Sequence, residues 1–403
     1  EISCSLVGSE MCIRDRSIIA HRGTCYWAPE GTEAAMRWAR NAGATYLECD
    51  LQRTKDGYLV LFHDLRLTRT SDIDSKYPER KNVAISDLTL EELFKLDMGS
   101  WFNYTYPSNA RSSFSKLDIL TLEDLTMIAE GYRIQRDTFQ KRIYKKINGR
   151  IITLYEPDPA DNGNRPGIYT ETKEPDLYPG IELDLKKELE RLGWYADNVS
   201  NLKSIKTKPG HIYIANTPAR IVVQTFSQAS LKKLRQSFPR LIPMCYLIGI
   251  AAKDNVNKET YEKWINFAIE QGAVIIGPSI YEKDGLLGDL LKPWMYDLIK
   301  EKGLLIHAYT FKNREQILLT YLSEPKISRE SRIPQKDAPI TLTPHNPQIP
   351  ISIPLLVIRA HPINDRSNDT KHTITIRCRK YSFYVLYNPV NRFIGGFEKK
   401  DDS

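Results

Sequence analysis

From Ser17 onward, short apolar runs of strand length alternate with stretches whose apolar residues recur at helical spacing. A chain patterned this way is confined to a parallel sheet with helices packed outside it, because successive parallel strands need a covering crossover between them. Ser17 to His21, Tyr46 to Arg53, Gly167 to Thr172, Ile221 to Phe226, Leu241 to Leu247, Val274 to Gly277 and Leu304 to Phe311 read as the parallel strands. Helices are expected over Thr32 to Asn41, Leu183 to Leu192, Gln228 to Phe238, Lys258 to Gln271, Trp294 to Glu301 and Asn313 to Leu322. Lys55-Asp56-Gly57 is a turn signal that joins the second strand to Tyr58 to His63 as a hairpin. The expected fold is α/β, a TIM-type (β/α)8 barrel with an insertion, whose eighth strand is not evident in the sequence.

The repeating pattern occupies residues 17-322. Inside it, residues 72-118 are rich in Ser, Asp, Lys and aromatic side chains and interrupt the alternation. They read as an insertion above the catalytic end of the barrel, either a lid that selects substrate or a plain surface excursion. Residues 323-403 carry Pro325, Pro334, Pro339, Pro344, Pro347, Pro350 and Pro354, too closely spaced for a helix, and are expected to form an irregular proline-rich tail with some β character over residues 373 to 386. The longest apolar run, Ile351 to Ile358, is interrupted by Pro354 and falls far short of the roughly 18 to 20 residues of a membrane-spanning helix, so no transmembrane segment is expected.

Residues 1-16 mix Glu1, Glu10, Arg14, Asp15 and Arg16 with scattered hydrophobics and lack the pattern of a secretory leader. Val7 to Arg16 resembles translated sequencing adapter, which makes this stretch an uncertain or artefactual terminus outside the fold. The compartment is not legible from it. A soluble protein is expected, periplasmic or secreted if a leader is missing. Cys4, Cys12, Cys25, Cys49, Cys245 and Cys378 show neither CxxC spacing nor the density of a disulfide-stapled domain, which disfavours structural zinc and a disulfide framework. The net charge of +7 over 403 residues is modest. Lys141, Arg142, Lys145 and Lys146 lie on a polar, helix-like stretch and read as a solvated face, and no nucleic-acid motif accompanies them. No nucleic-acid partner is expected, and the oligomeric state is not legible.

Candidate chemistry gathers at strand ends. His21 and His63 each close a strand and precede a charged residue; either one alone would be structural more often than catalytic. His21-Arg22-Gly23 sets a group that titrates near neutrality beside a guanidinium matched to phosphate oxygens and a glycine that lets the backbone turn. Glu48 and Asp50 share one face of their strand, since side chains alternate with period two, while Leu47, Cys49 and Leu51 suit an outer face packed on helices. Two such carboxylates repel unless a cation or basic groups stand between them. Glu171, at the C-terminal end of the next parallel strand, could supply a third oxygen to a shared cation, and Lys173 could neutralise phosphate or form an ordinary salt bridge. An all-oxygen set favours Mg²⁺ or Ca²⁺ over a softer metal.

In order along the chain, Ile19-Ala20-His21-Arg22-Gly23, Pro29-Glu30-Gly31-Thr32, Glu48-Cys49-Asp50, and Thr54-Lys55-Asp56-Gly57 through Phe62-His63-Asp64 resemble signature segments of the glycerophosphodiester phosphodiesterase family. Leu88 to Leu93, Gly99 to Phe102, Leu120 to Glu123, Tyr169 to Pro175 and Gln224 to Ser227 also look like family segments, extending the likeness over about residues 17 to 320. The resemblance implies metal-dependent hydrolysis of a small-molecule glycerophosphodiester to an alcohol and glycerol 3-phosphate. It casts His21 and His63 as the general acid/base pair, and Glu48, Asp50 and Glu171 as ligands of Ca²⁺ or Mg²⁺. Arg22 and Lys173 would be phosphate contacts, and Glu30 would orient the site. Gly31 stands where the family commonly has asparagine, which puts that turn's hydrogen bonding in question, and the family's closing strand is not found after Leu322. The alternatives are a lysophospholipid- or phosphoinositide-cleaving phosphodiesterase, with Trp101, Phe102, Tyr104 and Tyr106 against an acyl chain, or a non-catalytic anion-binding barrel.

Overall fold

A computed structural model describes residues 17–197, 220–238, 242–280 and 286–311, together with the backbone of four later strands, 355–358, 372–378, 381–388 and 392–398. The expected helix Asn313 to Leu322 lies outside the described residues. The chain divides into two compact units, Glu1–Ala360 and His361–Ser403.

In the first unit the strands β1 (Ile18–Ala20), β2 (Tyr46–Arg53), β8 (Gly167–Thr172), β9 (Ile221–Thr225), β10 (Met244–Ile248), β11 (Ile275–Pro278), β12 (Leu305–Phe311) and β13 (Leu355–Ile358) form the parallel sheet. The order is β1-β13-β12-β11-β10-β9-β8-β2, and β2 pairs again with β1, so the sheet closes on itself. The eighth strand that the sequence did not reveal is therefore β13, inside the stretch expected to be irregular. Its Leu356 and Val357 stand opposite Ile18 and Ile19 of β1, and its Leu355 and Leu356 opposite His307 and Ala308 of β12. Four residues beginning right after Pro354 are too short and too closely preceded by prolines to read as a strand alone, but paired backbones on both sides supply the hydrogen bonds that short runs lack.

Helices α1 (Glu33–Asn41), α3 (Ile181–Arg191), α4 (Gln228–Ser237), α5 (Lys258–Glu270) and α6 (Pro293–Glu301) follow strands in the expected alternation, and α2 (Leu122–Ala129) is a further helix that the sequence did not reveal. Their apolar faces join the outer faces of the strands in one core that includes Met36, Leu47, Leu51, Leu125, Leu185, Leu231, Ile265 and Ile299. Capping fixes where several of them start: Thr32, Thr121, Ser227 and Asn257 each accept a hydrogen bond from the first turn. The turn at Lys55-Asp56-Gly57 delivers β3 (Leu59–Leu61) antiparallel to the end of β2 and carries His63 back over the strand ends. Residues of the insertion 72-118 form short helical turns in which Ile73, Ile85, Leu88, Leu90, Leu93 and Leu96 are buried in one cluster with Val60, Phe62, Leu67, Ile119 and Ile151.

The basic stretch after α2 is not helical. β4 (Tyr132–Ile134) pairs with β7 (Tyr155–Pro157), and β5 (Tyr144–Ile147) pairs with β6 (Arg150–Thr153), all antiparallel. Lys145 and Lys146 are exposed as expected, but Arg142 is buried and donates to both Asp124 oxygens at 2.8 and 2.7 Å and to the Ile119 carbonyl at 3.0 Å. A buried guanidinium needs such partners, and the sequence did not reveal Asp124 as one. The second unit is a three-stranded antiparallel sheet of β14 (His372–Cys378), β15 (Tyr381–Asn388) and β16 (Arg392–Glu398), where irregular chain with some β character was expected. Among the described residues no helix is long and apolar enough to cross a membrane.

Because β13 is hydrogen-bonded on both sides, Val357→Pro removes a ladder donor and forces its ring into the closure. A loss of stability on the order of 3 kcal/mol is expected, seen as a lowered midpoint in thermal or urea unfolding; an unchanged midpoint would show that closure by β13 does not hold the barrel together.

Candidate active site

Register decides which side chains meet. Along β2 and β8, Glu48 stands opposite Tyr169 and Asp50 opposite Glu171, and β9 continues the row with Gln224 opposite Glu171. Laterally paired residues of a parallel ladder face the same side, so Asp50, Glu171 and Gln224 form one row and Glu48 stands two residues behind on the same face. One oxygen each from Glu48, Asp50 and Glu171 lies within 4.8 Å of the others, and all three residues are buried. The donor set is carboxylate oxygen alone, which suits a hard divalent cation.

The crowding shows in their titration. Burial, reinforced by Asp50, raises Glu48 well above the ordinary carboxylate range against the pull of Arg22. Burial and Asp50 likewise push Glu171 up to about 7, although Lys173 and Arg22 oppose them. Burial acts on Asp50 in the same sense, but Arg22, Lys173 and His63 outweigh it and hold that carboxyl below its usual value. Two raised carboxyls and one lowered one mark a cluster whose repulsion a cation's charge would relieve.

The basic groups are placed by the turn after β1. Arg22 has φ 52° and Gly23 φ 83°, both left-handed, and a Cβ on Gly23 would stand 2.7 Å from the Ala35 carbonyl carbon. Only glycine lets the strand end fold this tightly against α1. The turn aims the Arg22 backbone N–H at Glu48 Oε2 (2.8 Å) and sets its guanidinium 3.2 Å from Asp50 Oδ2 and 3.1 Å from Glu30 Oε1. Gly31 has φ 67°, a region asparagine and glycine both tolerate, and its N–H donates to the Arg22 carbonyl at 3.1 Å, so the turn keeps its shape without an asparagine. Lys173 Nζ lies 3.0 Å from Glu171 and 3.6 Å from Asp50. Gln224, not singled out from the sequence although its strand position matches that of Glu171, donates to Glu48 Oε1 at 2.9 Å.

His21, Arg22, Glu48, Asp50, His63, Glu171 and Lys173 all line one cavity of about 540 Å³ at the C-terminal ends of the strands. Glu30 stands behind Arg22 rather than on the cavity wall. His63 Nδ1 is 2.7 Å from Asp64 Oδ1. An ionised carboxylate only accepts, so Nδ1 carries the proton and Nε2 is the nitrogen left for exchange. Asp64 is held well below the usual carboxylate range: burial opposes this, and the hydrogen bonds from His63 and Arg69 prevail.

Arg69 escaped the sequence reading. Its guanidinium grips Asp64 through Nε and, at 3.0 Å, through Nη2, and it reaches Glu30 at 2.6 and 3.2 Å. One side chain thereby joins the carboxylate that orients His63 to the carboxylate that orients Arg22, while resting 5.8 Å from the Trp101 ring centroid of the insertion. An arginine in a run of polar residues after a strand carries no signal of this. The buried pair Tyr169 Oη and His307 Nδ1, 2.6 Å apart on β8 and β12, also lines the cavity, and burial holds His307 well below its ordinary value.

The chain was compared with known proteins. A family model described as the glycerophosphoryl diester phosphodiesterase family matches residues 21–154. A glycerophosphodiester phosphodiesterase of Bacillus subtilis is 29% identical over 295 residues, 73% of this chain and 76% of that one. One from Haemophilus influenzae is 27% identical over 270 residues, 63% of this chain and 62% of that one. Among solved structures, a glycerophosphoryl diester phosphodiesterase assignment from Silicibacter pomeroyi aligns with a TM-score of 0.52 at 15% identity, covering 78% of this chain and 91% of that one, a likeness of fold.

Two outcomes follow from this geometry. Glu48 and Glu171 bind protons more tightly folded than unfolded, so their contribution to stability is greatest at acid pH and is lost as pH rises, for Glu171 through about 7. A divalent cation needs the deprotonated forms, so Ca²⁺ or Mg²⁺ should raise the melting temperature more at pH 8 than at pH 6; at a hundredfold excess over Kd the stabilisation is about 2.7 kcal/mol, and Glu171→Gln should abolish the rise. Arg69→Lys keeps the charge but loses the fork; turnover should fall about 10²-fold with KM little changed, and guanidinium added to Arg69→Ala should restore part of it. Full activity of Arg69→Ala would show that neither orientation depends on the clamp.

Proposed function

We propose that this chain, which is similar to glycerophosphodiester phosphodiesterases, hydrolyses small glycerophosphodiesters to an alcohol and glycerol 3-phosphate, with His21 and His63 as the acid/base pair and Glu48, Asp50 and Glu171 as the ligands of Ca²⁺ or Mg²⁺. The observation that carries the reading is the convergence of three crowded carboxylates, two histidines, Arg22 and Lys173 on one cavity. A bound divalent cation would offset the carboxylate charge and polarise a phosphoryl oxygen.

The remaining work falls to the chain's own groups. A phosphodiester carries one negative charge, and charge builds on its non-bridging oxygens as the attacking oxygen approaches. Arg22 and Lys173, already fixed by Glu30, Asp50 and Glu171, oppose that charge without having to reorganise. Glu30 orients Arg22 and so acts on the phosphate through it. Of the two histidines, one withdraws the proton of the attacking hydroxyl and the other supplies a proton to the departing alkoxide, and Asp64 keeps His63 in the tautomer that presents Nε2.

The purified protein, shown to be folded, is incubated with glycerophosphocholine and Mg²⁺ or Ca²⁺, then with EDTA, and glycerol 3-phosphate is measured. EDTA-sensitive release is expected. His21→Ala and His63→Ala should each lose about 10² to 10⁴ of that rate; wild-type turnover by a folded His63→Ala protein would remove His63 from the mechanism.

A further inference from the structure

The inner half of the cavity is the charged cluster, and its outer half is walled by Phe226, Leu247, Ile280 and Leu287. Ile19, Tyr169 and His307 also line it and are exposed by only 1%, 1% and 3%, so they form its closed end. Tyr169 stands opposite Glu48, two residues before Glu171 on the same face of β8, and so lies one layer deeper in the barrel than Glu171 and Asp50. Among the described residues, none of Trp101, Phe102, Tyr104 and Tyr106 lines the cavity, and Phe102 is buried in a separate cluster with Phe114, so the closed end is built by barrel strands alone. Neither the metal ligation nor the proton transfers use its histidine.

The His307 ring is held in place by its neighbours. Nδ1 lies 2.6 Å from the Tyr169 hydroxyl, and Tyr46 packs against Tyr169 at nearly a right angle with centroids 5.8 Å apart. The same hydroxyl is hydrogen-bonded to the Cys245 thiol, which burial pushes up to about 12 and so keeps as S–H. A Cβ on Gly277 would stand 3.0 Å from Cys245 Sγ and 3.3 Å from the His307 carbonyl oxygen, so a glycine in β11 leaves this chain of contacts its room. With Nδ1 engaged, Nε2 is the nitrogen that remains for a group in the cavity. Burial favours the neutral ring, which has one N–H and one lone pair; whichever of these Tyr169 takes, Nε2 presents the other. A hydroxyl both donates and accepts and therefore matches Nε2 in either tautomer. A phosphate oxygen matches only one tautomer, and a quaternary ammonium matches neither.

We propose that His307 is a specificity-determining residue that reads the glycerol end of the substrate, its Nε2 hydrogen-bonding the glycerol hydroxyl farthest from phosphorus, with Tyr169 as the residue that positions the ring. The inference rests on the diesterase reading. With the phosphate held by Arg22, Lys173 and the carboxylate cluster, one substituent of phosphorus lies toward the closed end and the other toward the open mouth. The closed end admits the compact glycerol, and the alcohol that differs from one diester to another takes the mouth. An analogue lacking the hydroxyl displaces water from Nε2 without replacing its hydrogen bond, and a buried polar atom left in that state penalises binding of the wrong substrate.

The test measures choline release by the full chain with its divalent cation, from glycerophosphocholine and from its deoxy analogue, a propane-1,2-diol phosphocholine in which that hydroxyl is replaced by hydrogen. The wild type is expected to prefer glycerophosphocholine by about 10²-fold in kcat/KM. His307→Leu should bring the ratio of the two kcat/KM values to within about threefold of one, and His307→Gln, whose amide both donates and accepts, should restore part of it. Equal kcat/KM for the two substrates with the wild type overturns the assignment while the diesterase reading stands, and this arm needs no variant to fold. A His307 variant that loses activity on both substrates by the same factor, so that the ratio is kept, also overturns it and marks the residue as structural. No choline from either substrate removes the diesterase reading and the inference with it.

Discussion

Three carboxylates held within 4.8 Å of one another out of water are the strain around which this protein is organised. Like charges at that separation repel strongly where the surroundings are poorly polarisable, and burial penalises each of them further. The chain answers with Arg22, Lys173 and the amide of Gln224, each touching at least one member of the cluster, while burial and Asp50 raise the proton affinity of Glu48 and Glu171. That arrangement demands a fixed register: sliding β2 by one residue against β8 would turn Glu48 and Asp50 to the outer face and bring Leu47 and Cys49 into the cavity. It also demands that β1 be closed into the sheet, since Arg22 hangs from its end and β13 and β2 hold its two edges.

Behind the first layer, polar contacts run outward in an order that makes mechanical sense. Arg22 leans on Glu30, His63 on Asp64, and both carboxylates on Arg69, which in turn rests near Trp101. A long side chain at the rim is costly to order, and its fork recovers that cost only by engaging several acceptors at once. The insertion 72-118 is tied to the site by this route. The buried cluster it shares with Val60, Phe62 and Ile151 makes it a packed element rather than a slack excursion.

The strands and the carboxylate cluster were legible because their rules are local. Period-two alternation put Glu48 and Asp50 on one face before any pairing was known, and the position of Glu171 at a strand end needed only the count of strands. Several features were not legible because their cause lies in distant partners. β13 is four residues that become a strand only between β1 and β12. Arg142 looks like a solvated charge until Asp124 is brought beside it, and the misreading of its stretch as helical came from an even spread of polar residues that a twisted hairpin shows equally well. Gly31 looked like a defect in a turn, yet the turn needs a positive φ rather than an asparagine side chain. Gln224 was within reach, as a polar residue in the same row as Glu171.

The division of the cavity into a charged inner half and an apolar outer half follows from how a barrel mouth is made. Strand ends near β1, β2 and β8 carry charge because they sit beside one another and can neutralise it within a few ångströms. Across the mouth, the ends of β9 to β12 present, among the described residues, Phe226, Leu247, Ile280 and Tyr309. His307, on that far side, fits the pattern: burial favours its neutral form, and Nδ1 lies 2.6 Å from the Tyr169 hydroxyl. Low polarity on one wall strengthens every charge interaction on the other, since it displaces the water that would screen them. The apolar side of the mouth is thus part of the electrostatics of the carboxylate site.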